Sequence, residues 1–126
     1  MYTVAHGIDL VEVARIEALV QSHGQRFLER IFTAEERARG EGRKREAEHL
    51  AARFAAKEAV LKAIGTGWRY GIAWTDISVT NDNEGCPLVE VTGLAREYAE
   101  QRGIKSWLIS LSHTETHAIA SVIGLG

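Results

Sequence analysis

The sequence of 126 residues predicts one α+β domain, residues 1–126, with a mainly antiparallel sheet, one long helix and several short helices. Three observations lead to this class. The length is that of a single ordinary domain, which has roughly 100–150 residues. Apolar residues recur at helical intervals over residues 9–64, whereas residues 74–123 contain short alternating segments separated by turn residues. Strands joined by short turns pair as antiparallel hairpins, so the second half predicts the sheet.

The chain opens with a predicted strand and a predicted helix. Tyr2–Ile8 is short, partly alternating and contains β-branched residues. Asp9 lies three residues before Glu12, which is the spacing of a capping box, and apolar residues then recur at helical intervals up to Gly24. We therefore expect a strand over Tyr2–Ile8 and a helix that Asp9 caps and Gly24 ends.

Further helices are expected up to residue 64. Arg26–Phe32 predicts a short helix, and Thr33–Glu36 has the pattern of a capped helix start. Arg39–Arg45 is polar and broken by glycine, which indicates an exposed loop. Glu46–Ile64 is rich in strong helix formers and free of glycine and proline, and Gly65–Gly67 follows it directly. This segment predicts the longest helix of the domain.

The C-terminal half is expected to contain four strands and one helix. Trp74–Thr80 and Pro87–Thr92 flank a turn rich in Asn, Asp and Gly, so they predict a hairpin. Leu94–Arg102 predicts a helix that ends at a glycine. Lys105–Ser112 and His117–Ile123 alternate in polarity and predict a second hairpin.

Composition excludes several classes of protein. The net charge of −2 argues against a domain that coats nucleic acid through bulk positive charge. The longest stretch without a charge has eleven residues, short of the ~20 of a spanning helix, so no membrane segment is expected. A single cysteine, Cys86, and an N-terminus without a basic start predict a cytoplasmic protein.

Charge is unevenly distributed along the chain. Residues 1–70 carry 12 of the 15 Lys and Arg residues and 10 of the 17 acidic residues, whereas the remaining residues are net acidic. A basic first half suits an anionic ligand or an acidic protein surface, although an ordinary solvated helix surface explains it equally well.

Glu58 is the first candidate for chemistry. On a helical wheel of the long predicted helix it falls in the middle of the apolar stripe. A carboxylate there must be paired, protonated or bound to a metal ion. Lys62, four residues on, is the obvious partner for an ion pair. The alternative is that Glu58 is one ligand of a hard cation.

Asp9 is the second candidate. An N-cap explains an Asp between a strand and a helix, but two carboxylates with water and substrate phosphate are also the usual ligands of Mg²⁺. No phosphate-loop motif is present, which disfavours that class of nucleotide enzyme. Gly65 and its neighbours could let backbone approach a phosphate, although C-capping of the helix explains them as well.

His113 lies between two predicted strands, with a serine before it and a threonine after it. It is either a turn histidine with satisfied hydrogen bonds or a group that contacts a phosphate or accepts a proton. The serines before it do not form the glycine-flanked elbow of a serine hydrolase, which disfavours that activity.

A Gly-Ile-Asp at residues 7–9 and a Phe-x-x-Lys-Glu-Ala-x-x-Lys pattern at residues 54–62 lie within four segments of the chain. Together these segments resemble the holo-[acyl-carrier-protein] synthase family of phosphopantetheinyl transferases. The resemblance covers essentially the whole chain, and its most specific part is the Phe-x-x-Lys-Glu-Ala-x-x-Lys pattern combined with an upstream Gly-Ile-Asp. Cys86 is a minor departure, because the family more often has a basic residue there. The matching segments are Gly7–Ile16, Arg26–Thr33, Arg53–Gly67 and Ser110–Ala120.

The resemblance implies an activity and its residues. The family moves the phosphopantetheine arm of coenzyme A to a serine of apo acyl carrier protein and releases adenosine 3',5'-bisphosphate. Asp9 and Glu58 would be the Mg²⁺ ligands, Glu58, Lys62 and His113 the catalytic residues, and Lys62, Gly65 and His113 the contacts to the coenzyme. The general base stays open between a water molecule and a carboxylate.

The resemblance also implies partners. Arg15, Arg26 and Arg30 match the arginines with which the family binds its acidic carrier protein, and solvated arginines without a partner are the alternative. Family members of this length form homotrimers with sites between subunits, so the resemblance implies the same assembly for this chain. Two other functions remain open: a Mg²⁺-dependent phosphoesterase acting on coenzyme A, and a non-catalytic module that binds the carrier.

Overall fold

The computed structural model of the chain describes residues 1–42 and 45–126. The described residues form five strands and four α-helices, which are named here in chain order. The strands are β1 (Thr3–Glu12), β2 (Ile77–Asn81), β3 (Pro87–Val91), β4 (Ser106–His113) and β5 (His117–Leu125). The helices are α1 (Val13–Ile31), α2 (Ala34–Gly40), α3 (Glu46–Ile64) and α4 (Gly93–Gln101), and one 3-10 turn covers Trp74–Asp76.

All the strands described pair in antiparallel fashion. One sheet has the order β1-β5-β4, and a smaller sheet pairs β2 with β3. The predicted α+β class with hairpin strands is therefore confirmed. No helix within residues 1–42 and 45–126 combines the length and the apolarity that crossing a membrane requires.

The helix signals of the sequence hold at most positions. The long helix has the predicted bounds, and Gly65 ends it in the left-handed conformation with φ of 88°. Thr33 Oγ1 accepts a hydrogen bond from Glu36 N, and Glu36 Oε1 accepts one from Thr33 N, which confirms the capping box. Gly24 breaks the helical backbone inside α1 and separates its two halves. The loop predicted over residues 39–45 is helical at its start, because α2 extends to Gly40. Arg43 and Lys44 of that loop lie outside the described residues.

The predicted capping role of Asp9 is wrong. β1 continues through Asp9 to Glu12, and Asp9 pairs in register with Ala120 of β5. Glu12 is the residue before the helix, and it makes no side-chain capping bond. The strand is longer than predicted because pairing with β5 stabilises residues whose local pattern also suits a helix start.

Helix α3 lies across the three-stranded sheet and forms the centre of the core. It packs mainly on β1 and β5. The crossing is close because Gly7 faces the helix: a Cβ there would overlap the carbonyl oxygen of Ala59. Asp9 is two residues further along β1 and so faces the same side, next to the turn of α3 that carries Glu58.

Candidate functional site

Asp9, Glu58 and Lys62 form a polar cluster where β1 meets α3. Lys62 Nζ donates to Asp9 Oδ1 over 2.9 Å and to the carbonyl oxygen of Ile8 over 3.0 Å. The Lys62 side chain is 54% exposed and that of Asp9 only 14%. Within the residues described, the ion pair of Lys62 is therefore with Asp9, and the predicted Glu58–Lys62 pair is not the one that forms.

Glu58 lies where the packing around an otherwise buried part of α3 is open to solvent. From Leu50 to Ile64 every residue except Glu58 and Lys62 is buried. The helical wheel predicted a single apolar stripe with Glu58 at its centre. That interpretation is wrong, because α3 is covered on nearly all sides and Glu58 and Lys62 lie where the cover stops.

The two carboxylates influence each other electrostatically. Burial raises the pKa of Glu58, and the negative charge of Asp9 raises it further. The positive charges of the Arg15 guanidinium and the Lys62 ammonium lower the pKa of Glu58 and so oppose this shift. The cluster thus holds two acids that repel each other, with two cations within electrostatic reach.

These two acids fit a magnesium ion. Among the described residues no three or more His, Cys, Asp or Glu side chains are grouped so as to hold a metal. A site with two carboxylates leaves the other positions to water and to substrate phosphate, which is how Mg²⁺ is usually bound. A cation between Asp9 and Glu58 would also relieve the repulsion that raises the pKa of Glu58.

Gly65 forms the C-terminal cap of α3. Its amide donates to the carbonyls of Leu61 and Lys62, over 3.0 and 3.1 Å. Arg102 packs against it and donates through Nη1 to the carbonyl oxygen of Ile64 over 2.7 Å. C-capping accounts for this glycine, and its predicted contact with the coenzyme stays a prediction.

His113 lies at a different place from the carboxylates. It is the last residue of β4, and its Nδ1 is 3.0 Å from Oε1 of Glu48 in the first turn of α3. Glu48 precedes Glu58 by ten residues, which is about 15 Å along a helix. One chain therefore does not bring His113 together with Asp9 and Glu58.

A cavity of about 310 Å³ adjoins His113. Arg53 also lines it and donates through Nη2 to Oδ1 of Asn81 over 3.2 Å. Pro87 and Ser110 contribute further wall. A buried guanidinium beside an imidazole suits an anionic group.

A second cavity, of about 520 Å³, lies against α1 and is lined by Arg26 and Arg30. The Arg30 guanidinium lies 5.1 Å from the Trp68 ring, and Trp68 stacks on Trp74 at 5.6 Å. The row of rings continues through Phe54, over which Arg15 lies at 5.6 Å. This row connects Arg30 with Arg15, whose charge acts on Glu58; Arg26 only lines the cavity.

Sequence reasoning did not find the buried ion pair of Lys57 and Glu36. Lys57 Nζ lies 2.8 Å from Glu36 Oε1, and both side chains are fully buried. Lys57 also donates to the carbonyl oxygens of Trp74 and Ile77. Burial lowers the pKa of Lys57, and Glu36 opposes that shift. No local pattern signals this pair, because its members come from different helices.

Comparison with known proteins gives consistent matches. A family model described as the 4'-phosphopantetheinyl transferase superfamily matches residues 5–122. The holo-[acyl-carrier-protein] synthase of Solibacter usitatus is 45% identical over 120 residues, covering 95% of this chain and 96% of that protein. The holo-[acyl-carrier-protein] synthase structure from Neisseria meningitidis superposes with a TM-score of 0.88 at 33% identity, covering 99% of this chain and 100% of that one. The Helicobacter pylori structure, in complex with coenzyme A, gives 0.83 at 31% identity and covers 95% and 99%.

Proposed function

The chain belongs to the holo-[acyl-carrier-protein] synthase family within the 4'-phosphopantetheinyl transferase superfamily, and we propose that it transfers the phosphopantetheine arm of coenzyme A to a serine of an acyl carrier protein. The reaction depends on Mg²⁺ and releases adenosine 3',5'-bisphosphate. The observation that carries this proposal is the pair of electrostatically coupled carboxylates, Asp9 and Glu58. Lys62 contacts Asp9 at the solvent-open part of α3.

Each residue of this cluster has a role in the proposed reaction. Asp9 and Glu58 hold the metal ion. Mg²⁺, when bound, neutralises charge on the pyrophosphate of the coenzyme and so makes the phosphorus a better electrophile. The exposed ammonium of Lys62 donates to the same phosphate oxygens, and the Asp9 carboxylate keeps it directed at them.

The coenzyme also contacts His113, through the cavity that His113 shares with Arg53. These residues and the carboxylates lie apart in one chain, so a site between two subunits would bring a second copy of His113 closer to the carboxylates. The carboxylates come from one subunit and His113 from its neighbour. This supports the homotrimer with shared sites.

The outer face of the three-stranded sheet provides a surface for that assembly. Ile8, Leu10 and Leu108 are about half exposed there or more, while the residues that alternate with them on β1 face α3. Contiguous exposed apolar residues on a soluble domain mark an interaction surface.

The carrier protein binds beside α1. Arg26 and Arg30 line the 520 Å³ cavity, and Arg15 lies between it and Glu58. An acidic carrier is attracted by these three cations, and its serine hydroxyl is thereby brought to the coenzyme phosphate. A cytoplasmic location suits this substrate pair and the free, exposed thiol of Cys86.

The experiment incubates the protein with coenzyme A, Mg²⁺ and apo acyl carrier protein and measures the masses of all components. The proposal expects a carrier heavier by one phosphopantetheine group and an equal amount of adenosine bisphosphate, both abolished by a chelator and restored by Mg²⁺. The control is a carrier whose acceptor serine is replaced by alanine.

Other outcomes separate the alternatives. Coenzyme A that is cleaved while the carrier keeps its mass indicates a phosphoesterase. A carrier that binds to the protein in the absence of any covalent change indicates a binding module. Either result contradicts the proposed transfer.

A further inference from the structure

Glu48 is a charged residue that the fold buries at the edge of the cavity next to His113. It is only 8% exposed. Its Oε1 lies 3.0 Å from His113 Nδ1, and its Oε2 lies 3.7 Å from Nε of Arg45, the residue that precedes α3. A carboxylate in such a place is stable only when partners compensate its charge. Here the imidazole of His113 is the partner of Oε1, and the exposed guanidinium of Arg45 is the partner of Oε2.

The contact has a chemical consequence for His113. An ionised carboxylate can only accept, so the ring nitrogen that faces it must carry a proton. Nδ1 of His113 is therefore the protonated nitrogen. Nε2 is left for a ligand, as an acceptor in the neutral ring and as a second donor in the imidazolium.

Glu48 is not part of the cavity wall, whereas His113 is. Its influence on a ligand in that cavity must therefore pass through the imidazole. Among the described residues, the charged groups that these contacts bring to the ring are Glu48, which Arg45 approaches in turn, and Arg53, which lines the same cavity.

We propose that Glu48 is a positioning residue for coenzyme binding: it holds the proton on Nδ1 of His113 and fixes the ring with Nε2 directed at a phosphate oxygen of the coenzyme. This inference rests on the proposed function, in which His113 contacts coenzyme A. In the complex the ring is the imidazolium: Nε2 takes up a proton from solvent and donates it to the phosphate oxygen, and the Glu48 carboxylate compensates the positive charge of the ring.

The test combines a spectroscopic measurement with a binding measurement. In protein with ¹⁵N-labelled histidine, two-bond ¹H–¹⁵N correlation spectra at pH 8 report which nitrogen of each neutral ring is protonated, and His113→Gln assigns the signal. We expect the Nδ1–H form in the wild type. Glu48→Ala should convert it to the Nε2–H form, whereas Glu48→Gln retains an acceptor oxygen and should keep the Nδ1–H form.

Calorimetric titration with coenzyme A gives the functional result. The dissociation constant should rise about tenfold in Glu48→Ala, because the imidazolium that donates to the phosphate then lacks its carboxylate partner and its fixed orientation, and less in Glu48→Gln. Glu46→Ala is the matched control, since it removes an acid from the same helical turn. It should alter neither the tautomer nor the affinity.

Two results would overturn the inference: an Nε2–H ring in the wild type, or a tautomer that Glu48→Ala leaves unchanged. A changed tautomer with unaltered affinity overturns it too, because Glu48 then acts on the ring alone. Binding is measured without transfer. A chain that binds coenzyme A with the expected dependence on Glu48 but never modifies a carrier would contradict the proposed function and not this inference.

Discussion

At the scale of single residues, the proposed chemistry depends on two acids that the fold holds close together in spite of their like charges. Burial and the charge of Asp9 both raise the pKa of Glu58. A fold that served stability alone would gain from replacing one of them by a neutral residue. The pair is therefore a place where a bound cation changes both activity and stability.

Replacing Glu58 by Gln keeps the size of the side chain and removes its charge. We expect activity with saturating Mg²⁺ to fall on the order of 10²–10³-fold, because a charge that stabilises the transition state is lost. We also expect Mg²⁺ to raise the melting temperature of the wild type and not that of Glu58→Gln, since a ligand of the folded state stabilises it. Thermal unfolding with and without Mg²⁺ measures this independently of turnover.

The control for this variant is Glu97→Gln, which neutralises an exposed acid on α4. It should behave as the wild type in both measurements. Near wild-type turnover of Glu58→Gln, or an undiminished Mg²⁺ effect on its melting temperature, would remove Glu58 from the metal site.

The pH dependence of stability provides a second test at this scale. Because the folded state raises the pKa of Glu58, it binds the proton more tightly than the unfolded state. The contribution of this group to stability is therefore present below its ordinary pKa and is lost as pH rises through the raised value. In Mg²⁺-free buffer with chelator, Glu58→Gln should gain stability relative to the wild type across that window. Urea unfolding from pH 4 upward measures the difference, and parallel curves for the two proteins would contradict it.

The sequence predicted the members of the cluster but not how they pair. The resemblance named Asp9, Glu58 and Lys62, and the structure does bring these three together. The pairing of Lys62 with Asp9 was not predicted, because the two residues are 53 positions apart. Contacts of that separation leave no local periodicity to detect.

At the scale of the elements, the buried pair of Lys57 and Glu36 joins parts that the sequence only predicts separately. Glu36 belongs to α2, where its carboxylate also accepts from Thr33 N and from Val79 N of β2. Lys57 belongs to α3 and contacts the carbonyl oxygen of Trp74. One ion pair thus fixes α2, the 3-10 turn and the small sheet onto the long helix.

Lys57→Met should destabilise the protein by about 3–5 kcal/mol, since it leaves the Glu36 carboxylate buried without its counter-charge. The matched control is Arg96→Met, which breaks an exposed pair with Glu100 and should cost less than about 1 kcal/mol. Urea unfolding of both variants at one protein concentration measures the two costs. A loss at Lys57 no larger than that at Arg96 would show that the pair does not anchor these elements.

The second half of α1, after Gly24, presents Arg26 and Arg30 to the proposed carrier site. Arg26→Glu should raise the Michaelis constant for the carrier about tenfold or more, because an attraction becomes a repulsion, and leave the affinity for coenzyme A unchanged. Added salt should weaken carrier binding of the wild type, since the Debye length is only ~8 Å at physiological ionic strength. Arg15 is a less suitable position, because its guanidinium also acts on Glu58.

Lys105→Glu is the control for Arg26, because it reverses an exposed charge beside β4 at the strand end opposite His113. Steady-state kinetics with varied carrier and varied salt distinguish the two variants. Equal Michaelis constants for the two variants, or turnover at low carrier that salt does not affect, would remove Arg26 from the interface.

Helices were predicted more accurately than the first strand, for a physical reason. The bounds of α3 follow from strong helix formers and a terminal glycine, which act locally. The end of β1 depends instead on pairing with β5, more than a hundred residues away. The break at Gly24 was predicted because glycine acts within its own turn.

At the scale of the whole molecule, the exposed sheet face predicts the assembly. Leu10 is 62% exposed on that face, and Leu10→Lys should convert a trimer into monomers by placing charge in the interface. Activity should fall with the trimer, because the carboxylates and His113 then no longer share a site. Light scattering of the wild type should report about three chains.

Leu88→Lys provides the control, since Leu88 is an equally apolar residue exposed on the other sheet. It should leave the trimer and the activity intact. A fully active wild-type monomer, or a Leu10→Lys trimer, would contradict the proposed assembly.

The alternation along β1 limits how this chain can change in length. Because successive side chains point to opposite faces, inserting or deleting one residue between Ala5 and Asp9, where the pairing with β5 is regular, would direct the carboxylate outward and an apolar neighbour inward. Such a change would remove the proposed metal ligand and the proposed subunit contact in a single event. Substitutions, or changes by pairs of residues, preserve the facing of Asp9, so we expect single-residue insertions and deletions only outside this stretch of β1.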